Sequence, residues 1–305
     1  MKLIKNIKKM LHLQTVIDEI VAKRTREGNK HLFLQQRINE LTKSAVLSTE
    51  MGVSKEKLSS EEIIVSMTTF GARFYDAYIA IESIMQGTIK PNRIILWVSE
   101  DLKDIKVPIV LRNQMQRGLE IRYCKDIRSY TKLIYSLKAF PNASIITMDD
   151  DIIYPHDAIE NLINVHNENP DMICANVLRP LPPVGCNPYP SLSEFDFAEH
   201  YKAVYNRYIL EGYSGVLYPP HSLPDEVFNE DVFLSICKYA DDIWFSAMAM
   251  LKNTKIISAH PHIYFLNYVN NKTVQAIALK NINVWGDSLN DVQLKDVFTK
   301  YKLPL

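Results

Sequence analysis

Three consecutive aspartates, Asp149, Asp150 and Asp151, are the residues whose type and spacing most directly indicate chemistry. They end the apolar run 144–148, which is typical of a buried strand. Adjacent carboxylates repel one another and cannot all be buried without a cationic partner. Mg²⁺ and Mn²⁺ prefer oxygen ligands, commonly one or two carboxylates completed by water and phosphate oxygens. The run therefore predicts a divalent metal site, with a solvated acidic turn as the alternative.

The position of these acids in a strand predicts which of them bind the metal. Alternate residues of a strand share a face, so Asp149 and Asp151 are expected to point one way and Asp150 the other. Ligands of open α/β sheets bind at the carboxyl ends of strands, where these acids fall. We therefore expect Asp149 and Asp151 to bind the metal together, with Asp150 on the opposite side.

Hydroxyl and cationic side chains at two other turns indicate places where a nucleotide and its phosphate could bind. Thr68, Thr69 and Arg73 follow the first apolar strand, at a strand-to-helix turn. Arg128 and Lys132 open a later helix, beside N-terminal amides that favour phosphate. These five residues are candidate donor-binding residues.

Two further stretches complete the candidate site. Gly215 lies in a turn of small residues that allows the backbone to approach a ligand closely. Asp241 and Asp242 begin an apolar helix. Acids are preferred in the first turn of a helix, so simple capping is the structural alternative for this pair.

Alternating strands and helices must position these residues. The expected strands are separated by amphipathic helices. The fourth of these helices follows Pro155. Ser129 is the expected N-cap of the helix over 130–140. This spacing predicts right-handed βαβ crossovers and a mainly parallel sheet. The expected strands span 63–68, 93–98, 119–123, 144–149 and 172–177.

Residues 1–58 differ from the rest of the chain. Residues 1–30 contain eight basic and three acidic residues, a net charge of +5, with apolar residues at helical spacing. A basic amphipathic helix can lie on an anionic membrane surface. Packing on its own domain or on a second subunit, as in a homodimer, is the alternative. A second helix is expected over 31–47 and a linker over 48–62.

Composition excludes several functions. Of 305 residues, 35 are Lys or Arg and 35 are Asp or Glu, so no overall basic field indicates nucleic acid. The four cysteines are far apart, which argues against a zinc knuckle or a disulfide framework.

No apolar run approaches the ~18 residues of a membrane span, and lysines interrupt the start where a signal peptide would be apolar. We expect a cytoplasmic protein, peripheral on the membrane if residues 1–30 bind lipid.

The segment 179–208 is rich in proline and aromatic residues. Long irregular loops in compact enzymes are usually functional or disordered, and the aromatic residues argue against disorder. The loop is interpreted either as a platform for an acceptor sugar or as a small core that packs on itself.

The order of these segments resembles the nucleotide-sugar-dependent glycosyltransferases of the GT-A fold, in particular bacterial enzymes that build surface polysaccharides such as capsule or lipopolysaccharide. The resemblance covers about residues 63–298. It implies an α/β, Rossmann-like, mainly parallel sheet flanked by helices over residues 59–305, with residues 1–58 as a helical extension.

The resemblance also implies roles for particular residues. Asp149–Asp151 looks like the DxD motif, which holds a divalent cation and through it the donor diphosphate. Gly215–Pro220 is similar to the glycine-rich stretch near donor sugar and acceptor. Asp241–Asp242 takes the place of the acidic pair that supplies the catalytic base in inverting members. A late histidine completes the metal site in many members, which implies His260, with His262 as the second choice.

These implications combine into a metal-dependent hexosyltransferase that uses Mn²⁺ or Mg²⁺ and a UDP-sugar and acts on a glycan hydroxyl. Asp242 is the preferred base because the apolar residues Ile243, Trp244 and Phe245 follow it and indicate that it is the more enclosed acid; a retaining enzyme needs no such base. A haloacid-dehalogenase-like phosphatase is disfavoured because the acids follow a late strand. A non-catalytic, membrane-associated scaffold of a glycan-assembly complex is the other alternative.

Overall fold

Apolar strands separated by helices form an α/β fold in this chain. The computed structural model describes residues 28–29, 31–186, 190–260, 267–269 and 289–305. Twelve strands lie within these residues: β1 (Ile63–Thr69), β2 (Arg93–Ser99), β3 (Leu119–Cys124), β4 (Ser144–Thr147), β5 (Ile152–Ile153), β6 (Ile173–Ala175), β7 (Leu178–Pro180), β8 (Val204–Tyr205), β9 (Tyr208–Leu210), β10 (Val216–Tyr218), β11 (Ile256–Ser258) and β12 (Asn267–Tyr268).

Helices connect most of these strands. The α-helices of the described residues are α1 (residues 31–47), α2 (Ala77–Met85), α3 (Ile109–Gln116), α4 (Thr131–Ala139), α5 (Ala158–Glu168), α6 (Glu230–Ile236), α7 (Asp241–Leu251) and α8 (Leu289–Lys300). Three short 3-10 turns border the candidate site: Gly71–Tyr75, Arg128–Tyr130 and Gly212–Ser214.

The described residues contain one eight-stranded sheet in the order β3-β2-β1-β4-β10-β6-β11-β8. The first four strands pair in parallel, as do β6 and β11. β10 is antiparallel to both of its neighbours, and β8 is antiparallel to β11. Six strands therefore run in one direction, which confirms the predicted Rossmann-like, mainly parallel sheet.

The core lies on both faces of this sheet. In β1, Ile64 packs into one cluster, whereas Ile63 and Val65 pack into another on the opposite face. All three side chains are fully buried. A strand covered on both faces is expected to be apolar throughout, and this explains why β1 is a continuous apolar run rather than an alternating one.

The order of the strands creates a crevice at one edge of the sheet. The chain places β2 and β3 on one side of β1 and then returns to place β4 on the other side. Ligands of open α/β sheets bind at such a switch point, outside the carboxyl ends of the strands. The reversed β10 begins at this edge too, because Val216 pairs with Thr147, the last residue of β4.

Helix α1 packs on the α/β domain. Leu41 is fully buried in a cluster with Ile79 and Ile153, and Ser44 Oγ donates a 2.7 Å hydrogen bond to Glu82 of α2. Residues 1–27 and 30, which carry most of the expected basic charge, lie outside the described residues. The boundary after residue 58 stays a prediction. Across the described ranges, every helix is too short or too polar to cross a membrane.

The predicted cap of α4 is wrong. The helix begins at Thr131, its N-cap is Tyr130, and no side chain caps it. The 3-10 turn Arg128–Tyr130 precedes it and takes Ser129 out of the capping position. The turn is held instead by Asp126 Oδ1, which accepts a 2.6 Å hydrogen bond from the amide of Arg128.

Candidate active site

The three aspartates lie in a turn after β4 rather than on the strand itself. β4 ends at Thr147, and Asp150 and Asp151 form a turn. Strand alternation does not apply there, so the predicted grouping of Asp149 with Asp151 is wrong. Asp150 and Asp151 share one partner, Arg73, whose Nη2 contacts Asp150 Oδ1 and lies 2.9 Å from Asp151 Oδ2. Asp149–Asp151 is called the acid turn below.

The 3-10 turn that follows β1 carries Arg73 to the acid turn. Gly71 at its start has φ +53°, a backbone conformation that favours glycine. The Arg73 side chain is 11% exposed. Burial raises the pKa of Asp150 and outweighs the opposing charge of Arg73, and with the neighbouring charge of Asp151 the pKa reaches about 7. Asp150 is therefore a carboxyl group that titrates near neutral pH.

Lys132 joins the two acidic stretches of the sequence. Its Nζ lies 2.7 Å from Asp149 Oδ1 and 3.4 Å from Asp241 Oδ2, and its side chain is 5% exposed. Burial alone would lower the pKa of Lys132, but the charges of Asp149 and Asp241 outweigh burial and raise that pKa well above its ordinary value. Lys132 is thus a buried, charged link between β4 and α7.

The acidic pair at the start of α7 divides between two partners. Asp241 is 7% exposed and faces Lys132, whereas Asp242 is half-buried and its Oδ2 accepts a 3.0 Å hydrogen bond from the amide of Gly212. The prediction that Asp242 is the more enclosed acid is wrong, because the first turn of the helix directs Asp241 inward. Burial and then the charge of Asp241 nevertheless raise the pKa of Asp242 well above its usual range.

Glycines shape the turn beside Asp242. A Cβ atom at Gly212 would lie 2.4 Å from Asp242 Oδ1, so this close approach requires glycine. Gly215 has φ +98°, and its missing Cβ faces Asn176, Leu162 and Met148 rather than open space. Gly215 therefore supplies a backbone conformation, and its expected contact with the donor stays a prediction.

The other predicted donor-binding residues lie at different depths. Thr68 Oγ1 donates a 3.3 Å hydrogen bond to the carbonyl of Trp97, and Thr69 is 2% exposed at the end of β1. Thr69 also helps to lower the pKa of Asp150 against the effect of burial. Arg128 is exposed. Thr69 thus belongs to the buried site, whereas Arg128 lies at its rim.

The expected three-ligand metal set is not assembled. His260 lies buried just beyond β11, which is separated from β4 by two strands of the sheet. Among the described residues, no three His, Cys, Asp or Glu side chains converge on a point that could hold a metal ion. The structure therefore does not bring Asp149, Asp151 and His260 together, and His262 lies outside the described residues.

Tyr154 is a site residue that the sequence analysis missed. Its phenol oxygen accepts a 2.7 Å hydrogen bond from the amide of Asp149 and donates one of 2.9 Å to the carbonyl of Tyr213. Burial and the charge of Asp149 raise the pKa of Tyr154 well above its ordinary value. In the sequence, Tyr154 follows Ile152–Ile153 and was interpreted as part of an apolar run. The signal that could have identified it is its phenol hydroxyl, since a buried tyrosine hydroxyl usually has a hydrogen-bond partner.

The aromatic loop 179–208 packs largely on itself in its described part. Phe195 is 5% exposed and Tyr208 is fully buried. The guanidinium of Arg179 lies 3.8 Å from the centre of the Phe197 ring and forms an ion pair with Glu211. These contacts favour the loop-core interpretation for these residues.

A cavity of about 690 Å³ lies at the opposite edge of the sheet. Glu61, Glu62, Arg93, Leu119 and Glu120 line it, at the amino ends of β1, β2 and β3. Two of its acids already have a cationic partner, because Arg93 contacts both Glu62 and Glu120. This cavity is separate from the acid turn and is not the candidate site.

The chemistry of the candidate site follows from an imbalance of charge. Five carboxyl groups, those of Asp149–Asp151 and Asp241–Asp242, meet two buried cations, Arg73 and Lys132. Within the described part of the chain, Asp150 Oδ2 and Arg73 Nε are buried without a hydrogen-bond partner. Buried polar atoms are normally paired, and an exception calls for an explanation such as a catalytic role, a water or an ion. The oxygen atoms of these carboxylates are suitable ligands for a hard cation, held by one or two of them next to a phosphate group.

Comparison with known proteins identifies no family for this chain. No protein-family model matches the sequence, and no curated protein matches it. Solved structures give weak likenesses. A CMP:2-keto-3-deoxy-manno-octonic acid synthetase complexed with CTP is 10% identical, with 65% of this chain and 88% of that chain covered and a TM-score of 0.39.

Two further solved structures give likenesses of the same weakness. An inositol-1-phosphate CTP transferase from T. maritima is 11% identical, with 75% and 98% covered and a TM-score of 0.39. Mannosyltransferase PcManGT from Pyrobaculum calidifontis, in complex with GDP-Man and Mn²⁺, is 12% identical, with 47% and 46% covered and a TM-score of 0.31. Likenesses this weak carry no argument about the reaction, which has to be inferred from the residues of the site.

Proposed function

We propose that this protein transfers a sugar from a nucleotide diphosphate sugar, a UDP-sugar in view of the sequence resemblance, to a hydroxyl of a growing surface glycan, with Mn²⁺ or Mg²⁺ as cofactor. One observation carries the proposal. Arg73 and Lys132 lie buried beside five carboxyl groups at the carboxyl edge of β1 and β4. Asp150, Asp151 and Asp241 are buried, and Asp149 and Asp242 are half-buried. This edge is where open α/β sheets bind ligands.

Arg73 and Thr69 would bind the donor diphosphate. Arg73 uses Nη2 for Asp150 and Asp151, and its Nε has no hydrogen-bond partner among the described residues. A guanidinium N–H donates well to phosphate oxygens. Lys132 lies on the first turn of α4 and adds a buried positive charge next to Asp149 of the acid turn. Together they favour an anionic leaving group.

A divalent cation would be held by the acid turn. One or two of its carboxylates suffice, because Mg²⁺ and Mn²⁺ commonly take their remaining ligands from water and phosphate oxygens. This arrangement does not require His260. When bound, the cation would neutralise charge that develops on the departing diphosphate.

Asp242 would act as the general base in an inverting transfer. Its ionised carboxylate takes the proton of the acceptor hydroxyl while the hydroxyl oxygen attacks the anomeric carbon. The bond from that carbon to the diphosphate oxygen breaks, and its electron pair leaves with the diphosphate. The hydrogen bond from Gly212 fixes the orientation of Asp242.

The basic residues 1–30 would hold the enzyme at an anionic membrane surface, where a lipid-linked glycan is accessible. A homodimer through the same region is the alternative. Sedimentation with anionic and with neutral vesicles, beside sedimentation velocity of the protein alone, separates the two.

Calorimetric titration tests the proposed function. UDP and several UDP-sugars are titrated into the protein with and without Mn²⁺, alongside Asp150→Asn/Asp151→Asn and an exposed control, Asp104→Asn. We expect metal-dependent binding to the wild type and the control and its loss in the double variant. If no nucleotide binds to the folded, metal-loaded protein, the transferase proposal is wrong and the scaffold becomes the better interpretation.

A further inference from the structure

Two segments that meet at the buried acids also meet at the protein surface. Inside, Lys132 Nζ lies 3.4 Å from Asp241 Oδ2. Outside, the guanidinium carbon of Arg128 lies 4.8 Å from the centre of the Tyr239 ring. Arg128 precedes Lys132 by four residues, and Tyr239 precedes Asp241 by two. The surface contact therefore lies close, along both segments, to the buried contact between Lys132 and Asp241.

A second cation belongs to this contact. Lys238 Nζ lies 5.6 Å from the centre of the same Tyr239 ring, and both Lys238 and Arg128 are exposed. Among the described residues, no carboxylate lies within 4.0 Å of either side-chain cation; the nearby Asp126 accepts the backbone amide of Arg128 instead. Arg128, Lys238 and Tyr239 are called the rim patch. It is a net positive surface at the edge of a strongly acidic site.

The backbone of Arg128 is held in an unusual conformation. Its φ is +65°, which is uncommon for a residue other than glycine and recurs at functional sites. The hydrogen bond from its amide to Asp126 Oδ1 stabilises this conformation. Contact with the ring limits the freedom of the guanidinium, so fewer conformations are lost when it binds a ligand.

We propose that the rim patch binds an anionic group, a carboxylate or a phosphate, carried by the acceptor glycan. The inference rests on the proposed transfer reaction. The donor diphosphate is assigned to the buried cations, so the exposed cations are left for the substrate that enters from solvent toward Asp242. The forked guanidinium of Arg128 matches the two oxygens of a carboxylate or phosphate. A neutral sugar offers no comparable partner.

Binding of simple sugars to the full-length protein tests the proposal. The protein is first saturated with UDP and the diamagnetic ion Mg²⁺ so that the donor phosphate site is filled. Glucuronate, glucose 6-phosphate and glucose are then titrated and followed by NMR. We expect the better anionic sugar to bind about tenfold more tightly than glucose, as for charge-assisted hydrogen bonds. The preference between carboxylate and phosphate identifies the acceptor group.

Three variants decide whether the rim patch causes this difference. Arg128→Gln and Lys238→Gln should each remove most of the preference for the anionic sugar, whereas Lys103→Gln, an exposed lysine elsewhere, should leave it unchanged. Equal binding of all three sugars, or a preference that survives both substitutions, would overturn the proposal. So would a loss of UDP affinity in Arg128→Gln with the sugar preference retained, because Arg128 would then bind the donor.

Failure of the proposed function gives a different result. In that case UDP does not bind to the wild type at all. The sugar comparison repeated without UDP, with the Arg128→Gln and Lys238→Gln variants, then still measures whether the rim patch prefers anions, while the assignment of that anion to an acceptor glycan is overturned together with the transfer reaction.

Discussion

The backbone amide of Asp149 donates a 2.7 Å hydrogen bond to the phenol oxygen of Tyr154. The same phenol donates to the carbonyl of Tyr213, in the turn whose Gly212 amide holds Asp242. One tyrosine thus links the acid turn to the turn that orients the proposed base. Because Tyr154 touches neither the donor nor the acceptor in our proposal, it is a positioning residue.

Removing this hydroxyl should weaken catalysis as well as the fold. Tyr154→Phe leaves the Asp149 amide and the Tyr213 carbonyl unpaired, a loss of about 1–3 kcal/mol. We expect kcat to fall about tenfold or more and UDP affinity to decrease. Tyr208→Phe is the matched control, because the hydroxyl of this buried tyrosine donates a 2.9 Å bond to Thr254 away from the site. Equal effects of both variants on kcat would contradict the positioning role.

Removing the buried charge of Lys132 should destabilise the protein strongly. Lys132→Met leaves Asp149 and Asp241 without their cation, and breaking a buried ion pair costs about 3–5 kcal/mol. Urea unfolding measures this loss. Lys125→Met breaks the exposed pair with Glu230 and should be close to neutral. The double variant Lys132→Met/Asp241→Asn should recover part of the stability, and no recovery would mean that Asp241 is not a principal partner of Lys132.

The space beside Gly212 should control the rate of transfer. In Gly212→Ala the new Cβ would lie 2.4 Å from Asp242 Oδ1, so the carboxylate must move. Misplacing a catalytic group by about 1 Å can reduce the rate by about 10²-fold. We expect such a fall in kcat with UDP affinity unchanged. Gly28→Ala, where a Cβ meets no atom within 4 Å, should behave as wild type; a normal kcat in Gly212→Ala would remove Asp242 from the mechanism.

The acid side of the pH profile should report on Asp242. Burial and the charge of Asp241 raise its pKa, so the base becomes ionised only at a pH above that of an ordinary aspartate. Activity should therefore fall on acidification at an unusually high pH. Asp241→Asn removes the neighbouring charge and should move this limb of kcat/KM to lower pH. A shift to higher pH in Asp241→Asn would contradict the assignment.

Mn²⁺ should stabilise the protein more at pH 8 than at pH 5.5. The pKa of Asp150 is about 7 in the folded protein against an ordinary value of 3.8. Its protonated form therefore stabilises the fold below about pH 4, and this contribution is lost as pH rises through about 7. A bound cation compensates the ionised carboxylate, and at 100-fold excess over its Kd it adds about 2.7 kcal/mol.

Thermal unfolding with and without Mn²⁺ at the two pH values measures this effect. EDTA should reverse it, and Asp150→Asn should abolish its pH dependence while Asp104→Asn retains it. If Mn²⁺ stabilised the wild type equally at both pH values, metal binding would not depend on the ionisation of Asp150, and the prediction would be wrong.

Strands β1 to β4 and β6 and the mainly parallel arrangement of the sheet were predictable from local patterns. Ile63–Thr69 and Arg93–Ser99 are short, mainly apolar runs between polar turns. Such runs are typical of buried strands. Gly118 ends α3 with φ +108°, as expected for a glycine after a helix. Neither β10 nor its antiparallel direction was predicted: the stretch around Gly215 was interpreted as a turn, and strand direction depends on pairing between distant segments.

The candidate site was predictable as a set of residue types but not as a set of contacts. Asp149 and Asp241 are separated by more than ninety residues, and nothing in their neighbourhoods indicates that one lysine contacts both. The apolar residues after Asp242 predicted the wrong enclosed acid, because the orientation of a helix decides which side of its first turn is buried. Local patterns identify reactive groups, whereas tertiary packing pairs them.

The reversed strand β10 also bears on how the chain folds. β1 to β4 can pair in parallel from residues 63–147 alone, whereas β10 joins β4 only after a loop of about seventy residues closes, and α7 follows it. Closing such a loop costs entropy before its contacts form. We expect a folding intermediate in which Arg73 already holds the acid turn, while Asp241 and Asp242 are still solvated. Amide protons of β1 and β2 should then gain protection from exchange before those of α7.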